Sequence, residues 1–249
     1  MQLYFIRHGQ SINNAKWDSG DPSEYNRHAD PVLTEVGKKQ ALYAAKFLSR
    51  SQPQTEMRWI DPQNACGFGL THLYCSLMER AVQTGSIISK QLGVPLEGFL
   101  DLHEVGGIYL KEPAGDKDLI RILHGHNRQY FQKSYPDLNL PTSLDGSGWW
   151  QGGIEPPENR FDRARRIIDF FLQKHAGTQD KIGVIIHGGV YTYIFRLLFN
   201  IATDNPGDLD LPFRIIINNC SISRYDFNDE GFMLLYHNRV DFLPPELIT

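Results

Sequence analysis

The sequence predicts an α/β protein, a three-layer α/β/α sandwich with a mostly parallel central sheet. Three observations lead there. Short apolar runs of strand length alternate with longer stretches that carry apolar residues at helical spacing, the order that builds parallel sheets covered on both faces. Two of the apolar runs, Leu3-Tyr4-Phe5-Ile6 and Ile182-Gly183-Val184-Ile185-Ile186, lead into the same pair, His8-Gly9 and His187-Gly188, which sets two imidazoles at the carboxyl edge where open α/β sheets bind ligands. The chain has 249 residues, 41% of them hydrophobic, ample for a buried core.

The first strand ends at Arg7, and Gly9 allows a sharp turn there. Residues 12–33, with Asp18-Ser19-Gly20-Asp21-Pro22, read as a loop over the sheet edge. Thr34 is suited to cap a helix over 35–50 with Ala41, Ala44, Ala45 and Leu48 on one face. Residues 51–70 read as an irregular connection. A strand at Leu73–Ser76 is followed by a helix over about 78–92, closed by Gly93 and Pro95. A third strand is expected over 96–102.

From 105 to 157 the alternation breaks, and prolines and glycines surround Trp149 and Trp150. A helix over about 117–133 is expected inside this insertion-like stretch, which is a candidate lid within one domain spanning 1–249. An amphipathic helix follows over 158–175, with Arg160, Arg163, Arg165 and Arg166 on its solvated face. Next come the strand leading to His187, a helix over 190–200, a break at Asn205-Pro206-Gly207, and a closing hairpin, Ser221–Phe227 and Phe232–His237.

Composition narrows the function. The net charge of −4 and 22% charged residues mark neither a nucleic-acid nor a membrane-surface binder, and no apolar run reaches membrane-span length. Cys66, Cys75 and Cys220 are odd in number and lack Cys-x-x-Cys spacing, which points to a reducing compartment; Cys75 reads as a buried thiol. The N-terminus enters a strand by Leu3, which leaves no room for a signal peptide, so a cytoplasmic location is expected. His72, His103, His124 and His126 form no set at ligand spacing, so no metal site is expected.

Arg7-His8-Gly9-Gln10-Ser11 with Asn14 resembles the Arg-His-Gly-x-Ser-x-x-Asn signature of the histidine phosphatase superfamily, which includes the cofactor-dependent phosphoglycerate mutases. Leu33-Thr34-Glu35-Val36-Gly37-Lys38-Lys39-Gln40-Ala41 resembles a second family segment, here read simply as a helix start. Ser76-Leu77-Met78-Glu79-Arg80-Ala81-Val82-Gln83-Thr84 resembles a third, and Glu104 and His187-Gly188-Gly189 follow in family order. The resemblance implies a phosphoglycerate mutase-like fold, with His8, Glu104, His187, Arg7 and Arg80 catalytic. It implies that Arg7, Asn14, Arg80, His187, Gln10 and Gly188 bind substrate, Gln10 standing where many members carry Glu.

The chemistry asks for these residue types. A neutral imidazole can attack phosphorus and form a phosphohistidine, and Arg7 and Arg80 would disfavour the imidazolium form of His8. The arginines, with His187 and Asn14, would donate to the phosphoryl oxygens as charge builds. Glu104, beside a phosphate dianion, can deliver the proton that the leaving alkoxide needs. With guanidinium groups neutralising charge, no metal or other cofactor is expected. The expected partner is a small phosphorylated substrate. The 105–157 stretch holds no paired arginines that would clamp a substrate carboxylate, which favours a phosphomonoesterase over a mutase. A non-catalytic phospho-ligand binder on the same fold is the reading from another class.

Overall fold

A computed structural model describes residues 1–20, 23–51, 61–114, 117–201 and 215–249. Seven strands form the central sheet: β1 (Gln2–Arg7), β2 (His72–Cys75), β3 (Leu96–Gly98), β6 (Leu138–Asn139), β7 (Lys181–Ile186), β8 (Ile222–Asn228) and β9 (Gly231–Arg239). Their order is β6-β3-β2-β7-β1-β8-β9. The first five are mutually parallel, and the β8–β9 hairpin adds the antiparallel part against β1.

Period-2 alternation along the buried strands makes the sandwich. Tyr4 and Ile6 of β1 pack with Ala45 and Leu48 of α2 (Glu35–Leu48) and Ala81, Val82 and Ile88 of α3 (Glu79–Leu92). Leu3 and Phe5 point the other way, into Ile167 and Phe171 of α5 (Asn159–His175) and Val190 and Ile194 of α6 (Gly188–Leu198). Thr34 caps α2 as expected, its Oγ1 accepting from the Gly37 amide at 3.0 Å.

Four expectations are corrected. Residues 12–33 are not all loop: α1 (Ile12–Asp18) starts there, because Ser11 and Asn14 close a reciprocal cap around its first turn. The third strand stops at Gly98, and Leu100–Leu102 is a 3-10 turn. In place of a helix over 117–133, β4 (Tyr109–Ala114) and β5 (Lys117–Ile122) form an antiparallel ribbon, and α4 is only Arg128–Ser134. Gly125, at φ +68°, interrupts any helix there. Arg163 is not solvated: it is buried, for a reason given below. Asp21-Pro22, most of the 51–70 connection and Asn205-Pro206-Gly207 lie outside the described residues. No described helix is long and apolar enough to cross a membrane.

Candidate active site

Strands β1 and β7 lie side by side with Arg7 opposite Ile186, so the residues that follow them, His8 and His187, emerge together at one edge of the sheet. Their rings are 5.0 Å apart, tilted by 55°. The turn after β1 is fixed from several sides. The Gly9 amide donates to Thr84 Oγ1 at 3.1 Å, and the Gln10 amide donates to Gln40 Oε1 at 2.7 Å. Asn219 Nδ2 donates to the His8 carbonyl at 2.9 Å. Gly37 of α2 sits against this turn so closely that a Cβ there would fall 2.1 Å from the Gln10 carbonyl oxygen. The Leu33–Ala41 segment is therefore more than a helix start: it lets α2 approach the turn.

His8 is buried and its ring is clamped. Nδ1 lies 2.7 Å from the Gly9 carbonyl oxygen, and Nε2 accepts from Arg80 Nε at 3.1 Å. A carbonyl oxygen only accepts, so the proton sits on Nδ1 and the lone pair on Nε2. Burial first, and then the charges of Arg80 and Arg7, hold His8 well below the ordinary imidazole range. Burial and Arg80 push His187 down likewise. His187 is wholly buried, and neither of its ring nitrogens has a hydrogen-bond partner among the described residues.

Arg80, in the first turn of α3, is steered by Asp30, whose Oδ1 lies 3.8 Å from Nη1 and also accepts the Glu79 amide at 3.0 Å. Burial outweighs the pull of Arg80 and pushes the Asp30 carboxyl up to about 6. Arg7 Nη1 donates to the Ile217 carbonyl at 2.6 Å, while its buried Nε has no partner among the described residues.

Glu104 closes the site from the other side. Its Oε1 accepts from the Val105 and Val190 amides at 2.8 and 3.0 Å, and Oε2 accepts from the Gly189 amide at 3.1 Å. The carboxyl group thus seats on the first turn of α6, where amides point outward without helical partners. A Cβ at Gly189 would fall 2.5 Å from Oε1, so only glycine lets the carboxyl come this close. The segment carrying Glu104 is pinned by Arg163 of α5. That guanidinium pairs with Glu155 at 2.6 and 2.7 Å and donates to the Asp101 and His103 carbonyls at 2.8 and 2.7 Å. These bonds are why Arg163 is buried.

A cavity of about 460 Å³ opens over this cluster, with Arg7, His8, Asn14, Arg80, Glu104 and Gly188 in its wall. Asn14 Oδ1 is occupied by the Ser11 amide and hydroxyl, so its NH₂ is the group left for a ligand. His187 lies behind the wall. Gln10 is not in the wall either: its side chain is held by Asp18 at 3.1 Å and Thr34 at 2.8 Å, which ties α1 to α2. The sequence reading missed Asp30, Arg27 and Lys111. Arg27 and Lys111 enter the wall from the 12–33 and 105–157 segments. No local signal marks any of the three, whose place depends on how the segments meet; Tyr25 donating to Asp118 at 2.8 Å is one such contact.

The model of the histidine phosphatase superfamily (branch 1) matches residues 120–240, a span that holds His187. That span is just under half of the chain, and over it the chain is similar to this superfamily. Arg7, His8, Arg80 and Glu104 lie outside the matched span, and it is the fold that brings them to His187. The fold is shared with solved structures over nearly their whole length. YhfR of Bacillus stearothermophilus is 18% identical, with 97% of this chain and 98% of that chain covered and a TM-score of 0.56. The phosphoserine phosphatase of Entamoeba histolytica, solved with 3-phosphoglyceric acid, is 18% identical, with 98% and 99% covered and a TM-score of 0.55. A mycobacterial glucosyl-3-phosphoglycerate phosphatase is 16% identical, with 96% and 99% covered and a TM-score of 0.55. Comparison with curated proteins finds no match.

Proposed function

We propose that this protein is a phosphomonoester hydrolase that works through a phosphohistidine on His8 and needs no metal ion for the reaction. The observation that carries this reading is the state of the His8 ring: Nδ1 hydrogen-bonded to the Gly9 carbonyl, the Nε2 lone pair held by Arg80 beside the cavity. In the first step Nε2 attacks phosphorus and the bond to the ester oxygen breaks. Glu104 protonates the departing oxygen. In the second step water attacks the phosphoryl group, Glu104 takes its proton, and the P–N bond breaks to release inorganic phosphate. Arg7, Arg80 and the Asn14 amide neutralise the phosphoryl oxygens throughout. Arg80 Nε–H, which rests on the Nε2 lone pair, turns to a phosphoryl oxygen when substrate arrives. The same oxygens give the partnerless ring of buried His187 a group to donate to.

The wall favours a small, multiply charged substrate. Among the described residues it carries four cationic side chains, Arg7, Arg27, Arg80 and Lys111, against one carboxylate, Glu104. Arg7 and Arg80 serve the phosphoryl group, while Arg27 and Lys111, from the segments that border the cavity, suit a second anionic group on the same molecule. The similar structures include enzymes for phosphoserine and glucosyl-3-phosphoglycerate, which supports hydrolysis over mutase action.

The test is phosphate release by the purified protein, with a chelator present, from phosphoserine, 3-phosphoglycerate and an uncharged alkyl phosphate. The expected result is release from all three, fastest from the two that carry a carboxylate. Rapid interconversion of phosphoglycerates with almost no phosphate released would make the protein a mutase. Binding without turnover would make it a non-catalytic phospho-ligand binder.

A further inference from the structure

The amino-terminal edge of the sheet, about 20 Å from the catalytic edge by the length of a six-residue strand, carries a second cluster of titratable groups. His72 opens β2, His175 ends α5, and Asp180 immediately precedes β7. One ligand atom from each lies within 4.8 Å of the other two. Asp180 spans the imidazoles: Oδ2 is 2.8 Å from His175 Nδ1, and Oδ1 is 3.9 Å from His72 Nδ1. The two rings meet edge to face with centroids 4.6 Å apart. In a tetrahedral zinc site with bonds of about 2.0–2.1 Å, neighbouring ligand atoms stand ~3.3 Å apart, so small side-chain rotations bring the three into place.

The surroundings match what a ligating histidine needs. Tyr74 Oη lies 3.2 Å from His175 Nε2, and Lys174 Nζ donates to that same oxygen at 2.6 Å. With the Lys174 proton on it, the tyrosine oxygen can either donate to Nε2 or accept from it. Without a metal, Nδ1–H donates to Asp180 and Nε2 accepts from Tyr74. With a metal on Nδ1, the proton moves from Nδ1 to Nε2 and the tautomer with Nε2–H donating to Tyr74 is fixed, the arrangement that a hydrogen-bond partner on the far ring nitrogen gives metal-bound histidines. The Lys174 charge is shared with Glu97, 3.4 Å away. His175 is buried, whereas His72 and Asp180 are each about 30% exposed, which leaves an open side for entry and for a water ligand.

We propose that His72, His175 and Asp180 bind one divalent transition-metal ion of the zinc type, with water as the fourth ligand, and that this ion ties the end of α5 to the starts of β2 and β7. The site is separate from the proposed chemistry and does not depend on it.

The test is calorimetric titration of the full chain, freed of metal by a chelator and dialysed, with zinc chloride. One equivalent should bind, and the thermal midpoint should rise with zinc concentration. Cobalt(II) in its place should give visible absorption bands. His72→Ala should abolish the binding, the bands and the thermal shift while phosphate-ester hydrolysis is retained. Tyr74→Phe should weaken binding about tenfold. A chain that takes up no zinc would overturn the proposal, as would binding and cobalt bands that His72→Ala leaves unchanged.

Discussion

His8 owes its neutral ring, with the lone pair on Nε2, to two contacts and to burial. The Gly9 carbonyl selects the tautomer, and exclusion from water beside Arg80 and Arg7 keeps the ring neutral. Its NMR signals should therefore stay constant from pH 7.5 down through the range where an exposed imidazole titrates, near 6.5. A midpoint at 6.5 would show that the ring is not held as described. Glu104 depends in turn on a missing side chain. Gly189→Ala puts a methyl group 2.5 Å from Oε1 and must push the carboxyl aside. Hydrolysis of alkyl phosphates should fall about 100-fold, the scale of a ~1 Å misplacement. p-Nitrophenyl phosphate, whose leaving group needs no proton, should lose far less. Equal losses on both substrates would assign Glu104 some other job.

Among the elements, α5 carries the most instructive ion pair. Arg163 and Glu155 are both buried, and the guanidinium also holds two carbonyls of the strand-end segment that leads to Glu104. Arg163→Met strands the Glu155 charge and should cost about 3–5 kcal/mol in urea denaturation, most of it recovered by Arg163→Met with Glu155→Leu. A loss under 1 kcal/mol would mean that the pair is hydrated. This residue also shows where sequence legibility ends. Strand β1, strand β7 and helices α2, α3 and α5 were readable because apolar period and capping are local properties. The burial of Arg163 was not, since its partner stands outside the helix and the polar face of α5 looks uniform from within. Helix α1 escaped notice because its capping box uses Asn14 where glutamate or glutamine is the familiar sign. The β4–β5 ribbon exposes Leu119 and Ile120, so it shows no alternation to read. In the site, the strand-end histidines and Arg80 were legible from motif order. Asp30, Arg27 and Lys111 were not, because only the meeting of distant segments places them.

For the whole molecule, the buried histidines set a dependence on acidity. Burial lowers His8 and His187 well below 6.5 and His103 to about 4. The unfolded chain protonates all three near 6.5, so below that value it binds more protons than the native state and stability falls with pH. Each such group contributes up to about 1.4 kcal/mol per pH unit until its own folded value is reached. Asp30 acts in the opposite sense: its folded value of about 6 exceeds the unfolded 3.8, so native protonation between those values restores some stability. Three groups against one leave a net loss, and the urea midpoint should drop clearly between pH 7 and pH 5. A midpoint that held or rose would contradict the neutral, buried state of the histidines. The architecture as a whole delivers two strand-end imidazoles to one edge, and His8 is the one proposed to take the phosphoryl group. The most direct test is rapid-quench mass spectrometry of the protein mixed with phosphoserine. One acid-labile phosphate should form on His8, absent in His8→Ala and still formed, more slowly, in His187→Ala. Phosphate on any other residue, or turnover that persists in His8→Ala, would contradict it.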